Sequence, residues 1–315
     1  MSERPTQTWA GDSCPVSVVI PTIGRVSPLR AALAAVRIQR PPPSEIIVVL
    51  GPDGGPAERF LATQRGILLA HVPLRNISIA RQEGLRLARE PIVAYLDDDA
   101  EPRPGWLAGL ASAFTDAAVG AAGGCVYEPG ANGPTLAWRN GLIRLSGRQQ
   151  PVRSRPGMHN DPKGPWFNTV CGCNWAVRRE AVESIHGFDA QIAFAYDEAD
   201  VCVRLIRRGW HVVHVPSAEV LHNRSPGGYR DNALVRDWGV EIRNQLYFGM
   251  KHRTGPLSAT RTLARVVARA ARLHCLFFIA WLMGRLTRRQ ARQFAADVLR
   301  GGWEGLRVSR DRPWL

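Results

Sequence analysis

Three consecutive carboxylates, Asp97, Asp98 and Asp99, follow directly on the apolar run Pro91-Ile92-Val93-Ala94-Tyr95-Leu96. Alternate side chains share a face on an extended backbone, so Asp97 and Asp99 are expected on one side and Asp98 on the other. Carboxylates held that close repel, and one protonates unless a divalent cation or other positive partner neutralises them. Oxygen donors of this kind suit magnesium or manganese, which commonly bridge to substrate phosphates. The competing reading is an acidic turn capping a helix opened by Pro102-Arg103-Pro104-Gly105-Trp106. A second cluster, Asp197-Glu198-Ala199-Asp200, contains carboxylates able to remove a proton, or else forms the acidic first turn that a helix dipole favours.

These groups need a scaffold, and the apolar patterning supplies one. Val16–Ile20, Glu45–Leu50, Ile67–Val72 and Ile92–Leu96 read as strands, with helices from Ser27 to about Gln39 and over Ile77–Ala88. Strand and helix alternating at this spacing predict an α/β fold with a doubly wound, mostly parallel sheet, which binds ligands beyond the carboxyl ends of its strands. Beyond the triplet, a helix is expected near Trp106–Phe114, a strand near Val119–Val126, and a helix over Val201–Arg208. Two strands follow, His211–Val215 and one ending at His222. Between about Glu128 and Pro165 the chain is rich in Gly, Pro, Arg and Asn, an excursion assigned to the acceptor side or to an ordinary surface loop.

The chain of 315 residues carries a net charge of +14, unevenly spread. From Lys251 onward, fourteen Lys and Arg stand against Asp297, Glu304 and Asp311, so the tail is electrostatically separate from a nearly neutral body. The N-terminus lacks the pattern of a secretory signal, and the six scattered cysteines fit a reducing compartment. Cys171-Gly172-Cys173 has no second Cys or His pair at zinc-ligand spacing, so these cysteines read as small core residues.

Several motifs occur in one order: strand-Pro21-Thr22, Glu45–Val49, Arg81 ahead of the fourth strand, Asp97-x-Asp99, Asn174-x-Ala-x-Arg-Arg-Glu180, Gly187-Phe188-Asp189 and the acids at 197–200. Arg204-Leu205, Gly209-Trp210, Pro216 and His222 complete the set. Over residues 14–225 the sequence resembles a family 2 glycosyltransferase of the GT-A fold. That resemblance implies transfer of a sugar from a nucleotide diphosphate sugar, with inversion, using Mg2+ or Mn2+. It implies Asp97 and Asp99 at ribose and metal-bound diphosphate, Pro21 and Thr22 near the nucleotide, and an acid after the second strand. There the chain departs from the family, reading Leu50-Gly51-Pro52, with Asp53 the nearest carboxylate. Arg25, Arg81 and Asp98 complete the expected donor site, although Arg81 on an amphipathic helix can equally be solvated or structural. Where the family has Glu-Asp-x-Asp, this chain reads Asp197-Glu198-Ala199-Asp200. Glu198 is the expected general base by position, Asp197 competes by residue type, and Asp200 caps or orients. His222 is a candidate metal or diphosphate contact or a structural histidine. Trp175 and Trp210 are core or acceptor-wall aromatics.

The resemblance stops before the tail. Arg261, Arg265, Arg269 and Arg272 lie along one face of a helix, followed by the apolar Leu273–Met283 and by Arg285, Arg288, Arg289 and Arg292. The apolar run is shorter than the roughly 20 residues that span a bilayer. Residues 256–300 are therefore expected to lie on an anionic membrane surface, or else to pack on the catalytic domain as a helical pair. Nucleic acid is not an expected partner, because no recognised binding module accompanies the charge. The expected organisation is a loose N-terminus (1–13), a GT-A domain (14–225) and a basic C-terminal helical appendage (226–315). The expected protein is a peripheral enzyme at the cytoplasmic face of the inner membrane, extending a glycan or lipid-linked acceptor by one sugar per encounter. The alternatives are a catalytically idle nucleotide-sugar-binding scaffold of this fold and a sugar nucleotidyltransferase. The latter would carry a Gly-rich basic loop that Pro21-Thr22-Ile23-Gly24-Arg25 matches poorly.

Overall fold

Strands made of Val, Ile and Leu with no polar alternation must be covered on both faces, and the central strands here are. In the computed structural model, which describes residues 14–152, 159–226 and 234–311, β1 (Cys14–Thr22) and β4 (Ile92–Leu96) lie side by side, and all five residues of β4 are buried. The expected loose stretch 1–13 lies outside the described residues. Between β1 and β4 the chain forms α1 (Val26–Arg37), β2 (Pro43–Leu50), α2 (Gly55–Ala62), β3 (Ile67–His71) and α3 (Ile77–Leu87). β3, β2, β1 and β4 are mutually parallel, as the alternation predicts.

The sheet then changes direction. After β5 (Ala100–Pro102), α4 (Trp106–Ser112) and β6 (Val119–Glu128), the strand β11 (Asn174–Arg178) inserts antiparallel between β4 and β6. α5 (Arg179–Glu183) and α6 (Asp197–Arg207) lead to β12 (His211–His222), giving the order β3-β2-β1-β4-β11-β6-β12-β5. The sheet is thus mixed rather than mostly parallel past β4, because β11 follows a connection that returns it against β4. β12 is one strand where two were expected; its register against β6 shifts between Val215 and Glu219, around Pro216, which has no N–H for the ladder. Gly124 permits that irregularity, since a Cβ there would lie 1.8 Å from the Ala218 carbonyl oxygen.

The expected loop from Glu128 to Pro165 is partly regular: β7 (Thr135–Trp138) pairs with β6, while β8 (Asn140–Ile143) and β9 (Gln149–Val152) join β10 (Phe167–Thr169) in a three-stranded sheet. Periodicity is weak there because the strands are three or four residues long.

The chain divides into two units: residues to Leu142 with Gln150–Gln191 and Asp197–Ser225, and Ile143–Gln149 with Ile192–Tyr196 and Pro226 onward. In the second, α7 (Trp238–Lys251), α8 (Pro256–Leu282) and α9 (Arg288–Arg310) bury a core of their own, including Trp238, Ile242, Leu273, Phe277, Phe294 and Val298. Asp237 caps α7 through the Val240 N–H, and Thr287 with Gln290 forms a capping box on α9. Arg269, one of the four arginines expected along the basic face, turns to the buried carboxylate of Glu241 at 2.6 Å. Leu273, Phe277 and Ala280 face inward, while Leu276, Phe278, Ile279, Trp281, Leu282 and Met283 are exposed. Among the described residues no helix is long and apolar enough to cross a membrane.

Candidate active site

The carboxyl ends of β1 and β4 meet at the three aspartates. The strand ends at Leu96, and a turn closed by the Ala100 N–H on the Asp97 carbonyl (3.1 Å) precedes β5. That turn breaks the two-residue alternation, so Asp98 no longer points away from Asp99, while Asp97 and Asp99 both neighbour His222. Asp98 and Asp99 share Arg25, and Asp97 turns to Arg81.

Asp98 is buried and receives hydrogen bonds from the Thr22 hydroxyl and the Arg25 guanidinium. Burial pushes its carboxyl up despite these donors. Thr22 also accepts from the Gly24 N–H at 3.0 Å, and Pro21 sits one residue earlier on β1, opposite Val49. Gly24 has φ +100°, and a Cβ there would lie 2.8 Å from the Gly54 Cα, so the close approach of the turns after β1 and β2 requires glycine at position 24. Asp53, in the second of those turns, is exposed and ion-paired with Arg75 at 2.6 Å.

Asp99 is gripped from three directions. Its Oδ1 lies 3.1 Å from His222 Nε2, and its Oδ2 accepts from the Ser225 N–H at 2.8 Å and pairs with Arg25 at 3.1 Å. Burial works against its charge, yet His222, Arg25 and Ser225 bring the carboxyl down to about 2. Burial likewise opposes the His222 imidazolium, and Asp99 and Asp97 outweigh it, raising the ring above its ordinary value. His222 ends β12 and helps line a cavity of about 410 Å³ with Glu128, Pro129, Asn223 and Arg224.

Arg81 joins the two halves of the site. Only 3% exposed, it projects from α3 over the neighbouring rings of Tyr95 and Trp175. One amino group pairs with Asp197; the other reaches Asp97 at 3.3 Å and donates to the Gly172 carbonyl at 2.7 Å. Burial disfavours its charge, but Asp197, Asp97 and Glu198 hold the guanidinium above its usual value. The solvated-arginine reading of Arg81 is thereby set aside, because its α3 position faces β4 rather than water.

α6 begins at Asp197, four residues before the expected start, so the acidic cluster occupies its first turn. Ala195 and Tyr196 immediately before it have φ of 55° and 71°, a left-handed conformation uncommon for residues with a Cβ. Asp200 is buried and paired with Arg204 at 2.6 Å, which fits orientation of the helix rather than reaction. Glu198 is half-buried. Burial, then the charge and hydrogen bond of Asp197, push its carboxyl well up against the opposing pull of Arg81.

Neighbours that the local sequence did not mark complete the site. Cys171 and Cys173 were read as core residues; Cys173 is buried, but a carboxylate oxygen of Asp97, its Sγ and a ring nitrogen of His222 lie within 4.8 Å of one another. Cys275, also read as core, is exposed on α8. The Ser225 contact uses a backbone N–H and leaves no side-chain signal. The carboxylate donors match the preferences of manganese and magnesium, and among the described residues the buried His222 Nδ1 has no hydrogen-bond partner, so the residues fit a divalent ion.

Residues 17–185 match the family model described as Glycosyl transferase family 2. The N-acetylglucosaminyl-diphospho-decaprenol L-rhamnosyltransferase of Mycobacterium tuberculosis is 33% identical over 124 residues, covering 33% of this chain and 40% of the relative. The pre-mycofactocin glycosyltransferase of the same organism is 28% identical over 241 residues, 74% of this chain and 46% of the relative. The chain therefore spans less than half the length of these curated relatives. Among solved structures, GalNAc-T7 with UDP, GalNAc and Mn2+ superposes with a TM-score of 0.55 at 16% identity, covering 76% of this chain and 51% of that one. The mannosyltransferase PcManGT from Pyrobaculum calidifontis, in complex with GDP-Man and Mn2+, gives 0.51 at 15% identity over 96% and 91%. At such identities these two establish a shared fold.

Proposed function

This chain belongs to glycosyl transferase family 2 and has the GT-A fold, and on that premise we propose that it transfers a sugar, with inversion, from a nucleotide diphosphate sugar to a hydroxyl of a glycan or lipid-linked acceptor. The observation that carries this reading is Arg81, whose one guanidinium contacts both Asp97 below the β4 tip and Asp197 at the start of α6. Donor-side and base-side carboxylates are thereby within one residue's reach.

Asp99, Asp97 and His222 would hold Mg2+ or Mn2+, which when bound offsets the negative charge of the departing diphosphate. Thr22 donates to Asp98, which in turn fixes Arg25 against Asp99 and the Ser225 carbonyl, holding a guanidinium beside the diphosphate side of the site. Pro21 and Asp53 bring the first two strand tips to the nucleotide side. Glu198 removes the proton of the attacking hydroxyl. Asp197 is the weaker candidate, because its carboxylate is buried and already committed to Arg81, which limits its freedom to reach an acceptor hydroxyl. Asp99→Ala is expected to abolish manganese-dependent binding of nucleoside diphosphates, read by calorimetry across uridine, guanosine and deoxythymidine forms. Retained manganese-dependent affinity would remove Asp99 from the metal site.

The rhamnosyltransferase relative is named for N-acetylglucosaminyl-diphospho-decaprenol. A sugar carried on a polyprenyl diphosphate as the acceptor of this chain agrees with the tail, where exposed Phe278, Ile279, Trp281, Leu282 and Met283 adjoin exposed Arg285, Arg288, Arg289 and Arg292. Apolar side chains beside arginines suit the interface of an anionic bilayer on the cytoplasmic face, with the protein peripheral. Burying even half of Phe278 and Trp281 contributes roughly 1 kcal/mol each. The double variant Phe278→Ser/Trp281→Ser should therefore lower flotation with anionic vesicles about tenfold or more. Equal flotation of variant and wild type would remove the membrane from this reading.

A further inference from the structure

The proposed transfer reaction makes no use of two thiols that lie against its donor side. Cys171 and Cys173 flank Gly172 in the turn leading into β11, a turn closed by the Asn174 N–H on the Cys171 carbonyl at 2.9 Å. Their sulfur atoms are 3.6 Å apart. One oxygen of Asp97, the Cys173 sulfur and a ring nitrogen of His222 all lie within 4.8 Å of one another. The Nδ1 of His222, a residue 6% exposed, is buried and has no hydrogen-bond partner among the described residues. Asp97 is 31% exposed, so the group can be reached from solvent.

These distances have a chemical meaning. Two thiolates bound tetrahedrally at about 2.3 Å from one zinc ion stand roughly 3.8 Å apart, and a thiolate and an imidazole nitrogen roughly 3.5 Å apart. The observed sulfur separation is already near the first figure, and Cys173 and His222, within 4.8 Å of each other, need to approach by about 1.3 Å at most to meet the second. Magnesium and manganese prefer oxygen, whereas thiolates select zinc and other soft or borderline ions. The packing explanation accounts for part of the turn: a Cβ on Gly172 would lie 2.8 Å from the Arg81 Nη2, so glycine is needed there whatever its neighbours do. It does not account for two sulfurs facing each other, one of them within 4.8 Å of a carboxylate oxygen of Asp97 and a ring nitrogen of His222.

We propose that Cys171, Cys173, Asp97 and His222 form a binding site for a thiophilic divalent cation of the zinc type, whose occupancy withdraws Asp97 and His222 from the nucleotide sugar. The site itself stands on the geometry alone; its inhibitory consequence rests on the donor-binding reading above. Such an ion competes with manganese for shared ligands while adding two sulfur ligands that manganese does not favour.

Cobalt(II) tests this, because thiolate ligation gives it an intense sulfur-to-metal charge-transfer absorption that oxygen and nitrogen ligands do not. The 315-residue chain is titrated under a phosphine reductant in a Cys275→Ser background, which removes the exposed thiol. The expected result is a charge-transfer band displaced by stoichiometric zinc, and lost or weakened several-fold in both Cys171→Ser and Cys173→Ser. No band, or a band unchanged in both variants, overturns the site. Cys171 is only partly buried, so its variant remains informative should Cys173→Ser fail to fold. In a second arm, zinc should abolish manganese-dependent nucleoside diphosphate binding by the background protein at least tenfold more effectively than in the Cys171→Ser variant. Equal sensitivity overturns the inhibitory role. Absence of manganese-dependent nucleotide binding in the wild type would count against the transferase reading, while the cobalt spectrum would still decide the metal site.

Discussion

Glu198→Gln is expected to lower the turnover number by about 10²- to 10⁴-fold, the range over which a positioned general base contributes, while nucleotide-sugar affinity stays within about twofold. The substitution keeps the size and most of the hydrogen-bonding capacity of the side chain and removes only its ability to take a proton. A split between turnover and donor affinity therefore separates proton removal from binding. Single-turnover transfer with calorimetric donor binding measures both. A Gln variant that turns over normally would pass the role to Asp197.

The pH dependence carries the same assignment. Burial and Asp197 raise the Glu198 carboxyl, and a base works only when deprotonated. Activity should fall as pH drops through a value above the ordinary carboxylate range of about 4.3, and the Gln residual activity should lack that limb. The stability effect has its own sign. A folded pKa raised above the unfolded one means the folded state holds the proton more tightly. On this group's account stability is greatest below about 4.3 and declines as pH climbs to the raised folded value. Glu198→Gln flattens that decline.

Arg81→Met should cost about 3–5 kcal/mol of folding stability, because removing one partner of a buried ion pair leaves the other charge uncompensated. Asp197, 3% exposed, loses its guanidinium partner, and the Gly172 carbonyl loses a donor. Urea denaturation measures the loss. The double variant Arg81→Met/Asp197→Leu should recover a substantial part of it, since an apolar pair in the same space leaves no orphaned charge. A double variant less stable than Arg81→Met would show that Asp197 draws its stabilisation from elsewhere. Both variants should lose transfer, because the α6 turn presenting Glu198 is held by this contact.

Sequence by itself determined much of the frame. Continuous Val, Ile and Leu runs fixed the buried strands, because a strand covered on both faces admits no polar alternation. Chain order determined the family, since the motifs from Pro21 to His222 are ordered along the polypeptide whatever their distances in space. The same local information placed Asp97, Asp99, Glu198 and His222 among the candidates. It also misjudged where local periodicity has nothing to act on, in the four-residue strands between Glu128 and Val152 and in the early start of α6.

The tertiary structure decided which groups meet. Arg81 and Asp197 are 116 positions apart, and Asp99 and His222 are 123 apart. Their pairing follows from β12 and α6 returning to the tips of the first sheet strands, a closure no local pattern encodes. A turn after Leu96 moved Asp98 onto the same arginine as Asp99, against the alternation of an extended chain. The thiols beside Asp97 follow from the same cause. Two cysteines read as filler because spacing alone cannot show that a strand inserted from a distant part of the chain brings sulfur to a carboxylate and an imidazole.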